Sequence, residues 1–153
     1  AQYEKVEGVL SVPVCWFCEE NDWKGLGVVF REYADKFGEE EDGIDLFLLV
    51  KSCLVVLNND ILGTIELLSD ILDMVERKNN DYGSAVFHAP CCAPCLSIGS
   101  AILVRLSDKF ERFWNLVGGN QNQVKESIED TVKDIVGYVF LLWYSEGNLN
   151  ADR

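Results

Sequence analysis

Pairs of acidic side chains stand one helical turn apart in the second half of the chain. Asp108 and Glu111 are three residues apart. Asp130 and Asp134 are four residues apart, so each pair would share one face of a helix. A Gly-Gly turn between the two segments favours antiparallel neighbouring helices, on which the pairs could converge. Such a carboxylate group could hold Mg²⁺, which prefers hard oxygen ligands in near-octahedral geometry.

Basic side chains accompany these carboxylates. Arg105, Lys109 and Arg112 lie on or beside the same predicted helix face, where they could neutralise charge that develops during phosphoryl transfer. Charged residues at helical spacing also form ordinary solvated faces with weak ion pairs, and that is the commoner case. Spacing alone therefore leaves both a cation site and a solvated face open.

Three segments resemble, in order, a phage and bacterial family of nucleotide-modification-associated proteins, which is related to the MazG-like all-α nucleoside triphosphate pyrophosphohydrolases. The segments are Lys-Asn-Asn-Asp-Tyr-Gly at 78–83, Ala-Ile-Leu-Val-Arg-Leu-Ser-Asp-Lys at 101–109, and Glu-Ser-Ile-Glu-Asp-Thr-Val-Lys-Asp-Ile-Val-Gly-Tyr at 126–138. The resemblance spans about residues 65–143. It implies Mg²⁺-dependent cleavage of a (deoxy)nucleoside triphosphate to the monophosphate and pyrophosphate. The implied role is nucleotide-pool control or support of DNA base modification, in a homo-oligomer.

The resemblance also implies roles for individual residues. The metal ligands would be Asp108, Glu111, Asp130 and Asp134. The nucleotide pocket would be formed by Lys78, Asn80, Asp81, Tyr82 and Arg105. The catalytic contacts to phosphate would come from Lys109 and Arg112. The chain departs from the MazG pattern, because its second acidic pair is four rather than three residues apart and its first pair begins with Asp. Two other residues could replace Glu111 as a ligand, namely Glu126 or Glu129.

The cysteines offer a second, independent site. Cys15 and Cys18, like Cys92 and Cys95, have the spacing of zinc ligands and could together make one closed tetrahedral structural site. Free cysteines acting as small hydrophobes are an alternative, and Cys53 is predicted to be a core residue of that kind. A cysteine nucleophile with His88 as base lacks a third, orienting residue.

Composition and charge exclude several functions. The 153 residues are 48% hydrophobic and carry a formal net charge of −13, which argues against nucleic-acid binding. The longest apolar run, 44–57, contains Asp45 and Lys51 and is shorter than the roughly 18 residues a membrane span needs. The first residues lack the features of a signal peptide. We therefore expect a cytoplasmic protein, in the host cytoplasm if it is viral, that does not bind a membrane.

Apolar residues recur with helical periodicity throughout the chain. They predict an all-α bundle of about five helices, MazG-like in arrangement, over 24–37, 44–58, 61–79, 98–117 and 123–145. Residues 1–60 would be a helical extension packed on a nucleotide pyrophosphohydrolase core at 61–147, within one compact domain. The alternative function is a non-catalytic helical module that binds a nucleotide or a protein partner and is stabilised by a structural zinc ion. A purely structural viral or accessory protein is a third interpretation.

Overall fold

The computed structural model describes residues 19–58, 60–81, 84–119 and 127–151, and it confirms the all-α bundle. Within these ranges the chain forms five helices: α1 (Trp23–Gly38), α2 (Leu46–Leu57), α3 (Ile61–Asp81), α4 (Ile98–Val117) and α5 (Ile128–Ala151). A short 3₁₀ turn, Ala85–Phe87, lies between α3 and α4. The described ranges contain no β-strand.

Side-chain caps fix where the helices begin. Asp45 accepts a hydrogen bond from the Leu48 amide at 3.1 Å and is the N-cap of α2. The helix therefore begins at Leu46 and not at residue 44 as predicted. Ser97 accepts from the Ser100 amide at 3.0 Å and is the N-cap of α4, which begins at residue 98 as predicted. In each case the short polar side chain satisfies an amide that has no partner within the helix.

Helix α5 begins at Ile128, five residues after the predicted start at 123. The Ser127 hydroxyl accepts from the Asp130 amide at 3.1 Å, and the Asp130 carboxylate accepts from the Ser127 amide at 3.4 Å. This reciprocal pair is a capping box, which marks a helix start. The helix then runs through Gly147 to Ala151, because a glycine inside a helix costs only about 1 kcal/mol and does not by itself end it.

The hydrophobic core is shared by α1, α2, α3, α4 and α5. Phe30 of α1 stacks on Phe110 and meets Phe113 edge-on, with ring centroids 4.8 Å apart in both pairs. The Trp114 indole donates to the Gly27 carbonyl at 3.0 Å, which ties α4 to α1 a second time. Residues of the predicted N-terminal extension therefore belong to the same core as the rest of the bundle.

Helices α3 and α5 pack closely against each other at Gly137. A Cβ added at Gly137 of α5 would lie 2.9 Å from Cγ2 of Val75, so only glycine permits this approach. One turn away on each helix, Lys78 and Asp134 face each other. No single helix in the described ranges is long and apolar enough to cross a membrane, and α2 and α3, which pass that test only together, are bent by 117°.

Candidate functional site

A cleft of about 950 Å³ lies between α3, α4 and α5. Its α5 wall is a single stripe at helical spacing, formed by Asp130, Lys133, Asp134, Gly137, Tyr138 and Leu141. Its α3 wall is mainly apolar and includes Leu67, Ile71, Met74 and Val75. Four cationic side chains also line it, namely Lys78, Arg105, Lys109 and Lys133. The cleft therefore joins an apolar surface to a charged one.

Asp134 is the centre of an ion-pair network in this cleft. Its Oδ2 lies 2.9 Å from the Lys109 ammonium of α4, and its Oδ1 lies 3.8 Å from the Lys78 ammonium of α3. The Lys109 and Asp134 side chains are 23% and 30% exposed, whereas Lys78 is 58% exposed. Solvent screens the Lys78 pair more strongly, so the Lys109 pair is the stronger link. The structure thus brings together three predicted site residues from three helices.

The four predicted metal ligands are not brought together in the same way. Asp130 and Asp134 line the cleft, but Asp130 also caps α5. Asp108 and Glu111 are exposed on α4 and do not line the cleft. Lys109 and Arg112, the residues that directly follow them, make polar contacts with α5. Successive residues are rotated by about 100° around a helix, so Asp108 and Glu111 point elsewhere. Within the described ranges, no three or more His, Cys, Asp or Glu side chains form a group that could hold a metal ion.

The two predicted catalytic residues have different surroundings. Lys109 lines the cleft, where it pairs with Asp134. The Arg112 guanidinium instead donates to the buried Thr131 hydroxyl at 3.3 Å, and Arg112 does not line the cleft. Thr131 in turn donates to the Ser127 carbonyl at 3.2 Å. Arg112 therefore fastens α4 to the first turn of α5.

The predicted nucleotide-pocket residues are divided between two surfaces. Lys78 and Arg105 line the cleft, whereas Asn80 lines a separate depression with Asp73, Glu76, Arg77, Asn79 and Ser84. Asp81 is exposed at the end of α3, and Tyr82 lies outside the described residues. Two of the five predicted residues are therefore placed in the cleft.

Sequence reasoning missed four polar residues of the cleft: Lys133, Tyr138, Asn79 and Asp70. The first two follow Asp130 at helical spacing, and that stripe was the signal that could have found them. Asn79 lines both the cleft and the neighbouring depression, and its side-chain oxygen is buried without a hydrogen-bond partner. No sequence signal distinguishes it from Asn80.

The structure describes four of the six cysteines. Cys53 is buried, which confirms its prediction as a core residue. Cys92 and Cys95 are exposed in the loop before α4, and His88 is exposed nearby in sequence. Cys15 and Cys18 lie outside the described residues, as does Glu126, while Glu129 is exposed on α5. The Sγ atoms of Cys91 and Cys92 are 3.8 Å apart.

The chain matches no known protein family, no characterised protein and no solved structure. The resemblance to the nucleotide-modification-associated family, suggested by three sequence segments, therefore stays a prediction. The function has to be inferred from the chemistry of the cleft.

Proposed function

We propose that this protein binds a phosphorylated small molecule of the nucleotide class in the cleft between α3, α4 and α5. The observation that carries the proposal is the meeting of cationic side chains with an apolar wall in one concave site. The cations are Lys78, Arg105, Lys109 and Lys133. The apolar wall would pack against a base, with Tyr138 beside it.

Local charge favours an anion in this cleft. Three carboxylates line it, Asp70, Asp130 and Asp134, so the four cations leave a local excess of one positive charge (4 − 3 = +1). The whole chain carries a formal net charge of −13. An anion is repelled by such a surface in general and attracted where cations cluster in a cleft. The same overall charge disfavours a nucleic-acid polymer, which needs an extended cationic track.

The cleft also has the size and composition of a small-molecule site. Its volume of about 950 Å³ lies within the range of roughly 300–1,000 Å³ typical of ligand pockets. Arg105 supplies a planar guanidinium suited to two parallel hydrogen bonds with a phosphate. Lys109 and Lys78 supply point charges, and a bound phosphate would compete with Asp134 for both of them.

Binding of a nucleoside triphosphate, measured by isothermal titration calorimetry, tests this proposal. Arg105→Gln removes a cleft cation and is expected to weaken binding about tenfold, since a hydrogen bond to a charged group contributes about 1.5–3 kcal/mol. Arg77→Gln is the matched control, because Arg77 lies on α3 outside the cleft. The proposal fails if the parent binds no nucleotide at millimolar concentration, or if the two variants bind equally well.

Hydrolysis of the bound nucleotide is a second candidate, and the observation that favours it is that Asp130 and Asp134 line the same cleft. Mg²⁺ is usually held by one or two carboxylates together with substrate phosphates. The described residues do not fit a protein-only Mg²⁺ centre, but this pair fits an ion that enters with a triphosphate. Such an ion would polarise a phosphoryl oxygen and neutralise charge. The homo-oligomer and cytoplasmic location inferred from the sequence belong to this candidate.

Pyrophosphate release separates the two candidates. The parent protein is incubated with each nucleoside triphosphate and Mg²⁺, alongside Asp134→Asn and the control variant Asp108→Asn, which is exposed outside the cleft. A hydrolase releases pyrophosphate and loses activity only in Asp134→Asn. Nucleotide binding without any pyrophosphate release identifies a non-catalytic module.

A further inference from the structure

The stripe of α5 residues that lines the cleft leads to an exposed aromatic side chain. Asp134, Gly137 and Leu141 belong to this stripe, and the next position at the same helical spacing is Tyr144. Tyr144 is 44% exposed. The helix face that forms the cleft wall therefore continues, one turn beyond Leu141, as an aromatic surface.

The 3₁₀ turn between α3 and α4 brings a second aromatic ring to the same place. Ala85 and Val86 of this turn line the cleft, and Phe87 follows them directly. The ring centroids of Phe87 and Tyr144 are 5.2 Å apart, with an angle of 50° between the ring planes. This contact holds the Tyr144 ring beside the turn, so the aromatic pair borders the cleft.

The aromatic pair and the ion-pair network lie at different ends of the α5 face. Asp134, which pairs with Lys109 and Lys78, precedes Tyr144 by ten residues, or about 15 Å along the helix axis. This length is comparable to the distance between the terminal phosphate and the base of an extended nucleoside triphosphate. Phosphates bound at the cations would therefore place the base near Tyr144.

We infer that Tyr144, supported by Phe87, is the platform on which the base of the bound nucleotide stacks. This inference rests on the proposed nucleotide binding and adds to it the position of the base. Every base has a π-face, so stacking on an aromatic side chain does not depend on the exocyclic groups of the base. The platform would accept purines and pyrimidines alike, and it would favour nucleotides over phosphates that carry no base.

Isothermal titration calorimetry of the full-length chain with ATP and with inorganic tripolyphosphate tests this inference. Tyr144→Leu removes the ring but keeps an apolar side chain, and it should weaken ATP binding about tenfold, as loss of one base–aromatic stack does. The affinity for tripolyphosphate should not change, because this ligand has no base to stack. Tyr144→Phe keeps the ring and should bind both ligands like the parent.

Trp143→Leu is the matched control, because it removes an aromatic ring from a neighbouring face of α5. The Trp143 ring packs against Phe47, with ring centroids 5.5 Å apart, and does not follow the stripe that lines the cleft. Both affinities should be unchanged in this variant, and circular dichroism checks that each variant folds. The triphosphate of the fluorescent base 2-aminopurine gives a direct readout of stacking, since its emission should be quenched by the parent and by Tyr144→Phe but much less by Tyr144→Leu.

Each result decides the matter. A loss of ATP affinity alone, found in Tyr144→Leu but not in Trp143→Leu, supports the stacking platform. Unchanged ATP affinity in Tyr144→Leu overturns it and leaves the proposed nucleotide binding intact. An equal loss for ATP and tripolyphosphate also overturns it, because the variant would then have disturbed the whole cleft. A parent chain that binds neither ligand overturns the proposed function and this inference together.

Discussion

Lys109 of α4 and Asp134 of α5 form a 2.9 Å ion pair in the wall of the cationic cleft, and Lys78 of α3 approaches the same carboxylate at 3.8 Å. One carboxylate thereby holds lysines from two other helices. In the free protein it offsets part of the positive charge that would attract an anion. Asp134 is thus both a link between helices and a competitor of any bound phosphate.

Replacing Asp134 with Asn should strengthen nucleotide binding, because it removes the carboxylate that competes with phosphate for Lys78 and Lys109. We expect an increase in affinity of several-fold, since a partly exposed ion pair contributes up to about 1 kcal/mol. Calorimetric titration without Mg²⁺ measures the effect. Asp108→Asn makes the same chemical change outside the cleft and should leave the affinity unaltered. Weaker binding by Asp134→Asn without Mg²⁺ would contradict this role.

Removing the cap of α5 should destabilise the fold. Ser127→Ala deletes the hydroxyl that accepts from the Asp130 amide, and loss of such a cap costs about 1 kcal/mol of unfolding free energy. Urea denaturation followed by circular dichroism measures the change. Ser107→Ala is the control, because its hydroxyl is exposed in the middle of α4 and donates only to the Leu103 carbonyl. Equal stability of the two variants would argue against the capping box.

Adding a methyl group at Gly137 should force α3 away from α5. A Cβ at this position would lie 2.9 Å from Val75, and such overpacking typically costs about 1–3 kcal/mol. Gly137→Ala should therefore lower the unfolding free energy and also weaken nucleotide binding, because Lys78 lies one turn from Val75. The double variant Gly137→Ala with Val75→Ala should recover part of both losses. Additive losses in the double variant would show that the two residues do not interact.

Truncating Phe30 should test whether α1 belongs to the same cooperative unit as the other helices. Phe30→Ala empties the space between Phe110 and Phe113, and a substitution of this kind costs about 3–5 kcal/mol. Chemical denaturation should show one transition, shifted to lower denaturant concentration. Val28→Ala, at a position of α1 that is 65% exposed, should leave the midpoint nearly unchanged. Two separate transitions would instead support an extension that folds independently.

Local chemistry explains why the helices could be predicted from the sequence. The buried residues Ile102, Leu106, Phe110 and Phe113 follow the periodicity expected for α4, and that helix spans 98–117 as predicted. The start of α5 was predicted five residues early, because apolar spacing alone does not identify the first residue of a helix. The Ser127–Asp130 capping box decides that point.

The site was predicted only in part, because its residues come from three helices. Spacing correctly grouped Asp130 with Asp134 on one face of α5. It gave no means of knowing that Lys109, and not the adjacent Asp108, faces Asp134. The zinc site suggested by the cysteine spacing stays a prediction, because two of its four ligands, Cys15 and Cys18, lie outside the described residues.

The sequence by itself determined the all-α class and the amphipathic faces of the helices, since these depend on interactions within a few residues. The tertiary structure alone decided which charged residues meet in the cleft. That choice depends on the rotation of each helix about its axis and on how closely α3 approaches α5 at Gly137. Both are set by packing between residues far apart in the chain. Successive residues are rotated by about 100° around a helix, so Lys109 faces the cleft where Asp108 was predicted to do so.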